Sequence, residues 1–270
     1  METNEELETG YGPSPPPGDN LCNDYSEGLV AGYTALAEAR DQRVLVDDEL
    51  ALTDGGSPSL FVNIAVVRQP LTEEDWRRAA ERMHAFYDEV GGGPYLVFSA
   101  WPTPDLTSLG FGRVGHPPLM FRPVGPLAST PIEGFDVRPV VDAETAHDWE
   151  KTLVEGFPLT ELAPVQPGCI LPVDAVAAGS WRHWVGYLDE RPVATSSANV
   201  GSHHVDVEFV AAVEAARGKG IGRAITATAT LADPALPAML VASDMGRSVY
   251  ERLGYVTFLR FTLWEGHRRA

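Results

Sequence analysis

Hydrophobic positions along the chain recur with two periods, and they predict two consecutive series of helices and strands. The clearest element of the first series is a helix that begins at a capping pattern in residues 72–75 and ends at the glycines 91–93. Its apolar residues share one face because they recur at helical spacing: Trp76, Ala79, Ala80, Met83 and Tyr87. Apolar runs and turn signals predict the other elements of this series, which are helices over 21–40 and 105–109 and strands over 44–52, 60–67, 94–99 and 118–121.

The second series follows residues 124–133, a stretch rich in proline and glycine that forms a natural linker. Its pattern predicts helices over 143–157, 220–232 and 247–253, and strands over 135–140, 181–188, 192–200, 205–213, 238–242 and 256–264. The strands 181–188 and 192–200 flank a turn, which predicts an antiparallel hairpin. We therefore expect an α+β fold, with a mixed, mostly antiparallel sheet flanked by helices.

The two series resemble copies of one unit. Each runs through strand, helix, strand, short helix and strand, and each has a Leu-Gly-aromatic tripeptide before its last strand, at 109–111 and 253–255. The offset is roughly 145 residues, a sign of internal duplication. We expect a tandem of two related domains, 21–130 and 134–270. Residues 1–20 are acidic and proline-rich, with no basic residue, and this composition predicts a disordered tail.

Composition narrows the function classes. The formal net charge of -18 argues against nucleic-acid binding, which needs clustered Lys and Arg. The acidity fits a cationic substrate, or it simply keeps the protein soluble. No apolar run is long enough to cross a bilayer, the start of the chain does not resemble a secretory signal, and the cysteines are Cys22 and Cys169. We expect a soluble cytoplasmic protein that binds neither nucleic acid nor a membrane.

A glycine-rich loop separates the strand 205–213 from the helix 220–232. Its residues are Arg217, Gly218, Lys219, Gly220, Ile221 and Gly222. The loop does not match a dinucleotide-binding fingerprint, because Arg223 or Ile225, depending on the register, stands where the last glycine belongs. It does not match a P-loop either, because Val213 stands at the position of the first glycine and Gly220 at the position of the Ser or Thr. Glycines at a helix N-terminus let backbone amides approach a phosphate closely, although a tight turn that needs positive φ is the simpler alternative.

The spacing of Arg217, Gly220 and Gly222 fits the acyl-CoA signature Q/R-x-x-G-x-G/A, and residues 250–255 resemble the Y-x-x-L-G-F segment that follows it in the GNAT superfamily. This resemblance implies a GNAT fold with acetyl-CoA as co-substrate, and a degenerate first domain, because residues 67–72 lack the glycines. It implies cofactor contacts from the strand, the loop and the next strand end: Val210, Ala211, Ala212, Val213, Arg217, Gly218, Lys219, Gly220, Ile221, Gly222, Arg223 and Ser243. Many relatives carry asparagine at the position of Ser243.

The same resemblance implies the catalytic candidates. Tyr250 matches the tyrosine that lies near the thioester sulfur and is the candidate general acid, unless it is a packed helix residue. Asp206 and Glu208 alternate onto one face of their strand and are the candidate bases, unless they are solvated carboxylates. Asp206 matches the position of a known family base better. Because His203 and His204 are adjacent on a strand and point to opposite faces, we expect no metal site.

These features predict an enzyme that moves an acetyl group from acetyl-CoA to a primary amine of a small molecule, by direct attack in a ternary complex. A protein N-terminus or an aminoglycoside-type amine is an alternative acceptor. A non-catalytic acyl-CoA-binding or sensing module is an alternative from another class. The first domain either replaces a partner subunit or supports the second domain, so a homodimer stays an open alternative.

Overall fold

The computed structural model of the chain describes residues 20–90, 93–127, 131–157 and 159–267. The predicted disordered tail therefore lies outside the described residues except for Asn20, whose side chain caps the first helix by accepting a hydrogen bond from the Asn23 amide at 3.1 Å. None of the helices within these ranges is long and apolar enough to span a membrane.

The elements of the first half follow the predicted order. They are helices α1 (Leu21–Glu38) and α2 (Glu73–Val90) and strands β1 (Val44–Val46), β2 (Leu50–Thr53), β3 (Ile64–Val67), β4 (Tyr95–Ser99), β5 (Phe111–Gly115) and β6 (Pro118–Arg122). The predicted strand 44–52 is instead a hairpin, because Asp47 accepts hydrogen bonds from the Glu49 and Leu50 amides and turns the chain. Strand β5 was not predicted, since glycines interrupt its hydrophobic pattern.

The elements of the second half also follow their predicted order. They are helices α3 (Ala143–Gly156), α4 (Ile221–Thr230) and α5 (Asp244–Arg252) and strands β7 (Phe135–Pro139), β8 (Trp181–Leu188), β9 (Arg191–Val200), β10 (Val205–Ala212), β11 (Ala238–Val241), β12 (Val256–Arg260) and β13 (Thr262–Gly266). The predicted strand 256–264 is two strands, and they belong to different sheets.

The two halves exchange their last strands. One sheet has the order β1-β2-β3-β4-β13-β5 and the other has the order β12-β6-β11-β10-β9-β8-β7. The chain crosses between sheets at Phe261, which is fully buried and donates its backbone amide to the Pro117 carbonyl at 3.0 Å. Neither 21–130 nor 134–270 therefore contains every strand of its own sheet. In the first sheet the strand from the other half, β13, lies between β4 and β5, and in the second sheet the strand from the other half, β6, lies between β11 and β12. This matching order supports the predicted duplication.

One hydrophobic core joins the two halves. Tyr25 and Phe98 from the first half lie in the same buried cluster as Trp149, Phe209 and Phe261 from the second. The rings of Trp149 and Phe209 meet edge to face at a centroid distance of 5.4 Å, and those of Phe98 and Phe261 at 6.1 Å. Because this core is shared, any cavity between the sheets is bounded by residues of both halves.

Candidate active site

Strands β10 and β11 separate soon after they begin to pair. Their parallel pairing is confined to Val205 with Ala238 and Asp206 with Met239. On the other side of β10, a bulge between Glu208 and Ala211 disturbs the register with β9. At this bulge Phe209 adopts a left-handed φ of 51°, an unusual conformation for a bulky residue. The strand end thus leaves an opening between β10 and β11.

The equivalent strands of the first half do not separate. Strands β3 and β4 pair in parallel along their full common length, from Ile64 with Leu96 to Val67 with Ser99. The helix that follows, α2, carries Glu73, Glu74 and Asp75 in its first turn. These carboxylates would repel an anion at a helix N-terminus. The first half therefore lacks both features that would admit an acyl-CoA.

The glycine loop forms an open cradle at the N-terminus of α4. Gly218 and Gly220 have φ values of 76° and 82°, which are costly for residues with a Cβ. A Cβ built on Gly218 or Gly222 would meet no heavy atom within 4 Å. The first amides of a helix have no intrahelical acceptor, and with the helix dipole they attract a phosphate. The loop therefore has both the tight-turn geometry and the space for a ligand. Its glycines and the first amides of α4 fit the pyrophosphate of acetyl-CoA.

Arg217 anchors this loop to the rest of the domain. Its guanidinium donates to the carbonyl oxygens of Ala212 at 3.2 Å and Gly156 at 3.1 Å, which ties the loop to β10 and to the end of α3. Lys219 is exposed on the loop, and Arg223 lies in the first turn of α4. The structure therefore gives Arg217 a role in holding the loop, while Lys219 is a cation available at its surface.

A cavity of about 590 Å³ lies between the two sheets, beside the opening between β10 and β11. Of the residues predicted from the sequence, Glu208, Val210, Ser243 and Tyr250 line it. The other predicted residues of the cofactor strand lie elsewhere: Ala211 is buried beside β9, and Ala212 and Val213 lead into the loop. Ser243 caps α5, its hydroxyl accepting a hydrogen bond from the Gly246 amide at 3.1 Å.

Asp206, the better match to the family base, lies outside the cavity lining. Its carboxylate is 1% exposed, with Oδ1 2.6 Å from His204 Nε2 and Oδ2 accepting from Asn199 Nδ2 at 3.2 Å. Helix α1 packs directly over it at Gly28, where a Cβ would be 2.3 Å from Oδ2. Of the two candidate bases, Glu208 is the one that lines the cavity.

Glu208 is held by a residue from the first half of the chain. The Tyr25 hydroxyl donates to Glu208 Oε1 at 2.8 Å. The pKa of Glu208 is raised to about 8, chiefly by burial; the Tyr25 hydrogen bond opposes this rise, and the nearby Asp206 carboxylate contributes to it. A carboxyl with a pKa near neutrality can gain and lose a proton during a reaction.

Tyr250 lies in the cavity wall at 8% exposure, with its ring edge to face with Tyr255 at 6.1 Å. Burial raises the pKa of its hydroxyl, and the Glu208 carboxylate raises it further. Tyr250 therefore keeps its proton at neutral pH, as a proton donor must. A basic acceptor and a protonated donor thus line one cavity.

Several cavity residues carry no recognisable signal in the sequence. They come from α1, from the connection between β2 and β3, from β4 and from the two crossings between sheets: Tyr33, Phe61, Phe98, His116 and Arg260. The sequence did not predict these residues, because they are far from β10 along the chain and only the strand exchange and the shared core bring them close to it.

Replacing Tyr25 with Phe tests the hydrogen bond to Glu208. Because this bond favours the ionised carboxylate, its loss should raise the pKa of Glu208 and move the acid limb of the rate profile by roughly 0.5 to 1 pH unit towards higher pH. The measurement is kcat/KM for thiol release between pH 6 and 10. Tyr33→Phe is the matched control, because Tyr33 is on the same helix and lines the cavity but forms no hydrogen bond with Glu208 among the described contacts. An equal shift in both variants would contradict a specific effect of the Tyr25 hydrogen bond.

No protein-family model and no curated protein matches the chain significantly, whereas many solved structures do. A GCN5-related N-acetyltransferase from Kribbella flavida shares 20% identity and a TM-score of 0.66, over 92% of this chain and 96% of that one. A functionally unknown conserved protein from Staphylococcus epidermidis shares 14% identity and a TM-score of 0.57, over 83% and 93%. A GCN5-related N-acetyltransferase from Sphaerobacter thermophilus shares 13% identity and a TM-score of 0.52, over 92% and 94%. The resemblance predicted from the sequence is thereby confirmed at the level of architecture: the chain has the GNAT fold.

Proposed function

We propose that the chain transfers an acetyl group from acetyl-CoA to a primary amine of a small molecule, in a ternary complex. The observation that carries this proposal is that Glu208 and Tyr250 line one cavity at the point where β10 and β11 separate. The glycine loop follows β10 after one short helical turn, Glu214–Ala216, and its amides at the N-terminus of α4 suit a pyrophosphate. The proposed cofactor loop and the proton-transfer groups thus belong to the same half of the chain.

Each residue has a defined part in this proposal. Bound acetyl-CoA supplies an activated acyl group with a thiol as leaving group. Glu208 accepts a proton from the entering ammonium, so that the nitrogen lone pair is free to attack. Tyr250 donates its hydroxyl proton to the departing sulfur and recovers one as the new amide loses its surplus proton. Overall, an ammonium and acetyl-CoA give an amide, the free thiol and one proton.

A silent acyl-CoA sensor would need the loop and the opening but no proton-transfer pair. The raised pKa of Glu208 beside a protonated tyrosine in a cavity is typical of catalytic sites and favours the enzyme. Isothermal titration with acetyl-CoA tests the cofactor site, and lack of binding would rule out both functions. Thiol release in the presence of a panel of amines tests catalysis, because a sensor would bind the cofactor without turnover.

The Tyr250→Phe variant should lower kcat by about 100-fold, since it removes the proton donor. Its affinity for acetyl-CoA should stay within about twofold, because the loop that binds phosphate is untouched. Tyr255→Phe is the matched control: Tyr255 is buried in the adjacent core, bonds Thr230 at 2.8 Å and does not line the cavity. A normal rate in Tyr250→Phe, measured as thiol release at saturating acetyl-CoA, would remove Tyr250 from its assigned role.

A further inference from the structure

Much of the cavity wall is apolar. The rings of Phe61 and Phe157, one from each half, pack at a centroid distance of 5.0 Å in its wall. Leu96, Phe98 and Leu263 from the first sheet continue this wall. A wall of this kind favours an acceptor with an apolar body, because such a body loses water-exposed surface when it enters.

Few charged side chains line the cavity, and they are of both signs. Among the described residues, the acidic and guanidinium groups that line it belong to Glu208, Asp244 and Arg260. Glu208 is half-buried on β10, whereas Asp244 is exposed in the first turn of α5, where the helix dipole stabilises a carboxylate. An aminoglycoside or a polyamine carries several ammonium groups and would leave most of them against apolar walls. The cavity therefore disfavours polycations.

Arg260 stands at the rim of the cavity, at the end of β12 where the chain crosses between sheets. One of its Nη atoms donates to the His116 carbonyl at 2.6 Å, which anchors the side chain beside the opening. Within the described part of the chain it forms no ion pair with a carboxylate, unlike Arg68, Arg78, Arg82 and Arg138. Its remaining N–H groups are therefore available to an anion, and a guanidinium matches a carboxylate in shape and charge.

Glu208 and Arg260 lie on well-separated strands. The order β10-β11-β6-β12 places their backbones at least three strand spacings apart, which is about 14 Å, and the separation of β10 from β11 adds to this distance. A molecule that contacts both side chains must therefore be long enough to span this separation, as a ring with a polar group at each end is. A carboxylate on Glu208 and a guanidinium at the rim thus suit a molecule with opposite charges at its ends.

We propose that the acceptor is a primary amine on an apolar or aromatic body, with a carboxylate at its far end that Arg260 binds. This inference rests on the proposed function and specifies its acceptor. The ammonium end reaches Glu208, the body lies within the apolar cavity, and the carboxylate stays at the rim.

The test compares 4-(aminomethyl)benzoate with 4-(aminomethyl)benzamide, which has the same shape without the anionic charge. Spermidine and kanamycin represent polycations. The carboxylate should be preferred in kcat/KM by at least about tenfold over both the amide and the polycations, the effect expected of one charged hydrogen-bonded pair. Arg260→Gln should raise KM about tenfold for the carboxylate only, with the amide and the Kd of acetyl-CoA unchanged. Arg252→Gln, an exposed arginine outside the cavity lining, is the matched control.

A gain of function makes the test independent of stability. Arg260→Glu should reverse the preference and favour 1,4-bis(aminomethyl)benzene over the carboxylate, which an unfolded variant could not do. Turnover without preference between carboxylate and amide, or an equal effect of Arg260→Gln on both, would overturn this inference and leave the proposed function intact. Binding of acetyl-CoA with no turnover of any amine would overturn the proposed function, and the inference with it.

Discussion

Glu208→Gln is expected to lower kcat/KM by about 10²- to 10⁴-fold, the range that a positioned general base contributes. The substitution keeps the shape of the side chain and its hydrogen-bonding contact with Tyr25, so cofactor affinity and folding should change little. Gln cannot accept the ammonium proton, and the acceptor must then lose it to water. The measurement is thiol release under single-turnover conditions, which isolates the transfer from product release.

Asp206→Asn is the matched control, because it makes the same chemical change two residues away on the same strand. The Asp206 carboxylate raises the pKa of Glu208. Its neutralisation should therefore lower that pKa and move the acid limb of the profile to lower pH, while the plateau rate stays within about tenfold. The opposite result, with Asp206→Asn inactive and Glu208→Gln active, would identify Asp206 as the base.

The pH profile of the unmodified protein follows from the same group. As a base, Glu208 acts only when deprotonated, and burial raises its pKa to about 8. kcat/KM should therefore rise with pH and level off above about 8, with roughly one tenth of the plateau value at pH 7. A bound ammonium favours the carboxylate, so the limb in kcat should lie at lower pH than the limb in kcat/KM. A profile that is flat between pH 6 and 9 would contradict this assignment.

The candidate site shows which features a sequence reveals and which it conceals. The glycine loop was found because its function depends on neighbouring residues, with Gly218 and Gly220 supplying the left-handed backbone conformation at their own positions. The resemblance to the family favoured Asp206 over Glu208, whereas the residue pattern alone does not separate them, since a period of two places both on one face of β10. The bulge at Phe209 and the packing of α1 at Gly28 separate them, and both depend on contacts between distant segments.

The strand exchange escaped prediction for a related reason. Residues 256–264 are mostly apolar, with Thr257, Arg260 and Thr262 between the apolar residues, and such a pattern does not indicate which sheet each part will join. Phe261 is buried in the shared core and divides the run into β12 and β13. The wall of the cavity, with Phe98 and Arg260, depends on this crossing. The fold class and element order were therefore accessible from local patterns, whereas the acceptor side of the site was not.

Gly222→Val is expected to weaken acetyl-CoA binding by at least about 30-fold, which corresponds to roughly 2 kcal/mol. Gly222 lies in the first turn of α4, and a side chain built there meets no heavy atom of the protein within 4 Å. The space that it would enter is the space assigned to the pyrophosphate, so a branched side chain would keep the phosphate from the helix amides. A lost charged hydrogen bond costs about 1.5 to 3 kcal/mol, which sets the expected size of the effect.

This site is a cleaner test than Gly218 or Gly220, because those residues have positive φ and any side chain there would strain the loop. Valine is no worse than glycine inside a helix, so the thermal midpoint should fall by less than about 2 °C. Gly125→Val is the matched control, since a Cβ at Gly125 also meets nothing within 4 Å and the residue lies in the connection between β6 and β7. Isothermal titration of both variants measures the difference. Unchanged affinity in Gly222→Val would show that the pyrophosphate does not bind at the N-terminus of α4, and the proposed cofactor site would then be wrong even if the chain binds acetyl-CoA.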